Sequence, residues 1–204
     1  MKKLLILDTK VASACLLIIL LFAGQNFGQN KTGTTIGQFL KIEPSSRIVG
    51  LGNAGASLSG EISSVFYNPA SLGRLQGTDI QFTFNKWLAD ITYNYMAAGI
   101  NVEGIGTFAL VGTLLNSGEM DVRTVENPLG TGEKFTVKNL ALGLGYGLML
   151  TDRVSVGMQI NYINEEIWHS SLSTFGLNFG VQYQVVEGGL TLGASVSNFG
   201  TTAA

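Results

Sequence analysis

The chain has 204 residues, a net charge of −2 and only 13% charged side chains, about half the ~25% of soluble domains. That length suits one domain, and the lack of a basic surface argues against nucleic acid as a partner. Glycine, at 27 residues, is about twice its usual share, a balance that fits a β-rich membrane protein or a secreted adhesin-like repeat.

Residues 1–28 read as a secretory signal. Lys2, Lys3 and Lys10 form the basic start, and residues 11–23 form an apolar run. That run is too short to span a bilayer, which needs about 20 residues. Gly24 and Gly28 are both small enough to precede the cleavage point. Cys15 follows Ala12-Ser13-Ala14 as in a lipoprotein signal, but most of the apolar run comes after the cysteine, against lipid attachment. With the signal removed, no cysteine and hence no disulfide remains.

Residues 29–77 read as a plug that the later strands enclose. Residues 30–35 are polar, residues 37–42 predict a short amphipathic turn, and Pro44-Ser45-Ser46 breaks it. The stretch 47–75 is too rich in Gly and Ser for a regular helix and lacks a strand's alternation. Gly50, Gly52 and Gly55 spell G-x-G-x-x-G, but a dinucleotide site needs a strand before it and an amphipathic helix after it. Ile48-Val49 and residues 56–60 supply neither, so close backbone packing is the better account of the glycines. The sharpest feature is Phe66-Tyr67-Asn68-Pro69-Ala70. Pro69 drives Asn68 out of the helical region and fixes a turn, holding Phe66 and Tyr67 as a stopper. Asn68, with Pro69 and Ala70, is expected to anchor the plug through hydrogen bonds to wall or plug backbone.

From residue 78 the pattern changes to period-2 alternation, the signature of strands with two unlike faces. Strands are predicted over 78–85, 91–101, 105–115, 140–150, 154–164, 174–185 and 190–199. In 140–150, Leu140, Leu142, Leu144, Tyr146 and Leu148 share one face, while Ala141, Gly143, Gly145 and Gly147 share the other. Phe135 and Val137 have the opposite parity, which predicts a bulge near Lys138-Asn139. The strand 174–185 sets Phe175, Leu177, Phe179, Val181 and Tyr183 against Gly176, Asn178, Gly180 and Gln182. A soluble sandwich would carry Lys, Glu and Arg on its outward face. Here the polar face is Gly, Ser, Asn and Gln, and the strand length matches the 9–11 residues of membrane strands. The expected fold is therefore all-β: a transmembrane antiparallel β-barrel whose large residues face lipid and whose small ones face the plug.

The connections support this. Residues 102–104, 151–153 and 187–189 are tight turns, and 116–134 and 164–173 are longer loops, as in barrels with short periplasmic and long external connections. The short connection 86–90 must also be external. Trp87, Tyr93, Tyr162, Trp168 and Phe199 lie near strand ends, where an aromatic girdle sits. Seven strands is an odd number, and a closed bacterial barrel has an even one, so the sequence is expected to be a fragment covering residues 78–204 of a longer wall.

No catalytic constellation is visible. His169, the sole histidine, sits beside Trp168 and reads as a solvated loop residue. Asp121, Glu126 and Glu133 do not follow the EF-hand spacing. No cofactor, metal site or enzymatic activity is expected.

Residues 37–42 (GQFLKI), Arg47 with residues 50–56 (GLGNAGA), residues 67–72 (YNPASL), then 87–91 (WLADI) and 93–95 (YNY) resemble the N-terminus of PorV/PorQ outer-membrane proteins. The likeness is clearest over residues 33–100. It implies a FadL-like barrel of 14 strands with an N-terminal hatch, of which this chain covers about seven. It also implies a place in the type IX secretion system of Bacteroidetes, binding secreted cargo or partner proteins. The alternative is a FadL-like transporter of hydrophobic small molecules across the outer membrane.

Overall fold

The computed structural model describes residues 36–200. The expected signal over 1–28, with Cys15, the polar start of the plug and residues 201–204 lie outside the described residues.

Before the strands the backbone forms only short helical turns. Gln38–Lys41 is a 3-10 helix and Ser46–Gly50 a five-residue α-helix (α1), capped by Ser45 Oγ accepting from the Ile48 amide at 3.4 Å. Two more 3-10 helices follow, Ile62–Phe66 and Pro69–Arg74. A longer helix is precluded where Gly52 and Gly60 take positive φ.

The strands are β1 (Thr78–Lys86), β2 (Thr92–Val102), β3 (Gly106–Asn116), β4 (Met120–Asp121), β5 (Lys134–Phe135), β6 (Val137–Met149), β7 (Val154–Ile167), β8 (Ser170–Gln184) and β9 (Thr191–Gly200). Seven form one antiparallel sheet in the order β1-β2-β3-β6-β7-β8-β9. β4 and β5 pair separately, making a hairpin of the long β3–β6 connection. The fold is all-β, and the sheet of described strands is open, with β1 and β9 each paired on one side. No helix among the described residues is long and apolar enough to cross a membrane, which has no bearing on crossing by strands.

The two faces of the sheet differ. The turns before β1 pack on one face, Pro69–Arg74 against β3, β6, β7 and β8, and Ile62–Phe66 against β1 and β2. The opposite face carries Ile80, Phe82, Phe84, Phe108, Leu110, Leu142, Leu144, Ile160 and Phe175, all exposed, Phe82 by 68% and Leu144 by 64%. Under Pro69–Arg74 the wall of β6 to β8 is bare glycine backbone and small side chains, and nearer the β3–β6 connection Ile163 of β7 and Ala141 of β6 pack with Phe39 in a second apolar cluster.

β2 and β3 depart from this division. Tyr93 and Tyr95 are completely buried and join Ala97, Ala109 and Val111 in the core with Ile62, Val65, Leu72 and Leu75 of the plug. Tyr93 is therefore no part of an aromatic girdle. Its hydroxyl donates to the Ile42 carbonyl at 2.9 Å. The reason is the plug above them: Ile62–Phe66 presents Ile62, Val65 and Phe66, and the wall beneath must be apolar too. Each aliphatic side chain of the size of Val111, Ile62 or Leu72 contributes about 1.5–3 kcal/mol when fully buried.

Two other expectations are corrected. β6 runs in unbroken register against β3 and β7, with no bulge at Lys138-Asn139. Phe135 has the opposite parity because it belongs to β5, a separate strand. The register shift lies instead between β8 and β9, where Leu177 faces Phe199 and Phe179 faces Val196. Asn198 takes φ 57° there, and its amide donates to Asn178 Oδ1 at 2.7 Å. The extra residue returns Phe199 to the face that Val196 occupies. The expected loop over 164–173 is mostly strand. β7 and β8 continue to Ile167 and Ser170, joined by Trp168 and His169 alone, with Trp168 at φ 54°. A two-residue hairpin turn accommodates a positive φ at its first central residue.

Candidate functional site

The plug seats on a bed of glycines that strand register assembles. Gly147 of β6 lies opposite Gly157 of β7, which lies opposite Gly180 of β8. Three neighbouring strands thus present bare backbone in one row, and residues 68–73 lie across it. A Cβ at Gly157 would overlap the carbonyl of Pro69 and sit 2.7 Å from the Ala70 nitrogen. A Cβ at Gly147 would lie 2.6 Å from Leu72 Cβ and 2.9 Å from the Gly73 nitrogen. At Gly180 it would overlap the Asn68 side-chain oxygen, and at Gly193 of β9 the Ala56 carbonyl. Gly73 completes the fit from the plug side, 2.7 Å from the Leu148 carbonyl carbon by the same measure.

Asn68 ties the plug to the wall. Its backbone is extended, φ −155° and ψ 110°, as the step before proline favours. It is fully buried. Its Oδ1 accepts from the Ala70 amide at 2.9 Å, capping the Pro69–Arg74 turn. Its Nδ2 donates to the Ala56 carbonyl of the plug at 2.7 Å and reaches the wall carbonyls of Val181 at 3.2 Å and Ala194 at 3.3 Å. Pro69 begins the turn, where a missing N–H costs nothing, and Ala70 is buried against the glycine row.

Other contacts surround this anchor. Gln182 of β8 is fully buried, and its Nε2 donates to the carbonyls of Ala56 at 3.1 Å and Leu58 at 2.8 Å. Ser195 Oγ donates to the Tyr67 carbonyl at 2.8 Å. Asp79 accepts from the Ile62 amide at 2.8 Å, and Arg74 bonds Gln184 Oε1 at 2.9 Å and the Arg153 carbonyl at 2.8 Å. Sequence reasoning passed over Gln182, Ser195, Arg74 and Gly157 as anchoring residues. The usable signal was Gln182 itself, a long amide among small residues on the inner face of β8.

Phe66 and Tyr67 stack edge to face, 5.0 Å apart at 72°, and Phe66 does the same with Tyr95 at 5.9 Å. Tyr67 Oη donates to Glu43 Oε2 at 3.0 Å. Burial, with that carboxylate second, pushes the Tyr67 hydroxyl well above the ordinary tyrosine value. Of the three motif glycines only Gly55 packs closely, a Cβ there falling 2.7 Å from Tyr67 Cδ1. Gly50 and Gly52 are exposed, with open space around them. Gly52 serves the backbone instead, at φ 68°.

Beside the anchor lies a cavity of about 220 Å³. Leu40, Phe66 and Tyr67 border it from the plug, and Thr113, Gln159, Asn161 and Asn178 border it from the wall. No group of three or more His, Cys, Asp or Glu side chains suited to a metal occurs among the described residues. His169 stacks on Trp168 at 4.8 Å in its turn. The chain matches no protein-family model, and no curated protein matches it.

Proposed function

We propose that this chain is part of the wall and plug of an outer-membrane β-barrel of the PorV/PorQ type, binding cargo or partner proteins in type IX secretion. One observation carries the membrane reading. The plug covers one face of the sheet, and the other face leaves Phe82, Leu110, Leu144 and Phe175 exposed. Lipid accepts such a band, whereas water favours smaller apolar patches. The resemblance adds the 14-strand FadL-like barrel, the plug as its hatch and the Bacteroidetes outer membrane. A partner-binding role is supported by the β3–β6 connection, where Val125 is 100% and Leu129 95% exposed. A FadL-like transporter of hydrophobic small molecules would share the plugged wall, but amides line the cavity beside this plug, a poor route for an apolar passenger.

The test is complementation in a cell that secretes by the type IX route. Deleting the gene should trap cargo in the periplasm, and Val125→Asp with Leu129→Asp should fail to restore release. Cargo release unchanged by deletion would overturn the secretion role. Fractionation of the protein into the soluble periplasm would overturn the membrane wall. In planar bilayers, removing residues 33–75 should raise the conductance of the complete protein.

A further inference from the structure

We infer that the cavity between plug and wall is a binding site for a neutral, polyhydroxylated ligand of monosaccharide size. The inference goes beyond the secretion reading and stands on the plug–wall contact alone. Register places the cavity next to the glycine row, toward the sheet end that carries the β3–β6 connection: Asn161 lies four residues beyond Gly157 along β7 in that direction. At about 220 Å³ it is smaller than the ~300–1,000 Å³ of pockets for drug-sized ligands.

Its lining selects the chemistry. No Asp, Glu, Lys, Arg or His borders it, so a charged ligand would enter without a partner, at a high desolvation cost. The wall offers a hydroxyl and amides from three strands: Thr113 on β3, Gln159 and Asn161 on β7, and Asn178 on β8, with Ala141 and Gly143 of β6 between Thr113 and the amides. Gln159 Nε2 donates to Asn161 Oδ1 at 2.6 Å, and Asn178 Oδ1 is taken by the Asn198 amide at 2.7 Å. The Nδ2 groups of Asn161 and Asn178 make no hydrogen bond among the described residues, and Gln159 Oε1 has no partner there. The wall thus has donors and an acceptor to spare, and a hydroxyl both gives and takes. Opposite stand Leu40, Phe66 and Tyr67, an apolar and aromatic flank for the C–H face of a sugar ring. A fatty acyl chain would leave the amides unpaired, and a peptide amide, with its donor and acceptor fixed in direction, answers them less fully than a ring of hydroxyls.

The experiment is saturation-transfer NMR on the full protein in detergent micelles. The probes are methyl glucoside, methyl galactoside, glucuronate, N-acetylglycinamide and decanoate. A neutral glycoside should receive saturation at its ring C–H protons, with Kd on the order of 1 mM. That transfer should fall at least fivefold in Asn161→Ala. It should fall as far in Ser197→Leu: Ser197 of β9 borders the cavity, and its hydroxyl makes no hydrogen bond among the described residues. If Asn161→Ala does not fold, Ser197→Leu decides alone. No transfer to either glycoside, transfer retained in a folded variant, or binding only of glucuronate, N-acetylglycinamide or decanoate would overturn the inference. Because neither the cargo nor the secretion partners take part, its failure leaves the proposed role in secretion standing, and the converse holds.

Discussion

Gly157→Ala tests the seating of the plug with a single methyl group. The added carbon meets the carbonyl of Pro69 and lies 2.7 Å from the Ala70 nitrogen, where ordinary contact begins at 3.4 Å. Both neighbours are backbone, so neither can swing aside as a flexible side chain would. Clearing the Ala70 nitrogen alone takes a retreat of about 0.7 Å, and the nearer Pro69 carbonyl demands more, so the Asn68–Val181 bond stretches from 3.2 Å to at least about 3.9 Å, beyond hydrogen-bond reach. Overpacking of this kind costs about 1–3 kcal/mol, and a lost hydrogen bond adds about 0.5–1.5 kcal/mol. The expected destabilisation is about 2–4 kcal/mol. It is read as the urea midpoint of the full protein in detergent micelles, with protease cleavage in residues 53–61 as a local probe. Gly50→Ala is the control: it sits in open space at the end of α1 and should be neutral or stabilising by up to about 1 kcal/mol. A Gly157→Ala protein with the midpoint of Gly50→Ala and no added cleavage would refute the seating of the plug on the glycine row.

Three further outcomes are expected. Asn68→Ala removes the bonds to Ala56, Val181 and Ala194 and leaves the buried Ala70 amide unpaired, costing about 2–3 kcal/mol in the same unfolding assay; an unchanged midpoint would refute the anchor. Leu144→Arg should cost about 2–4 kcal/mol in a bilayer if that position lies near the midplane, whereas Leu129→Arg, on the exposed loop, should be tolerated; equal tolerance would reverse the facing of β6. Lys134 bonds Glu119 at 2.9 Å and holds its carboxyl below the ordinary range, while Glu119 raises Lys134 in turn. This contact, from Glu119 just before β4 to Lys134 of β5, is therefore complete above the ordinary carboxylate range and lost as pH falls through the lowered Glu119 value. At the alkaline end it is lost as pH rises through the raised Lys134 value. In Lys134→Ala the Glu119 carboxyl, followed by NMR titration, should move back up, and no movement would show that the pair does not form.

The sequence by itself determined the strands and their unlike faces. A period of two puts Leu140, Leu142 and Leu144 on one side and Ala141, Gly143 and Gly145 on the other, whatever the partners are, because alternation is a local property of extended backbone. It also determined the turn at Asn68-Pro69, since the restriction before proline acts between adjacent residues. What it left open depends on contacts between distant residues. Gly147, Gly157 and Gly180 become one row only through the register of two hairpins, and Asn68 acquires Val181 and Ala194 as partners only when that row admits the plug. The inward turn of Tyr93 and Tyr95 was decided by the apolar Ile62–Phe66 packed over them. The bulge was placed by pairing too: the parity change at Phe135 came from a separate strand, while the break between Val196 and Phe199 came from Asn198, whose left-handed backbone is held by Asn178 on the next strand. Local rules name the faces of each strand, and register decides which groups on those faces meet.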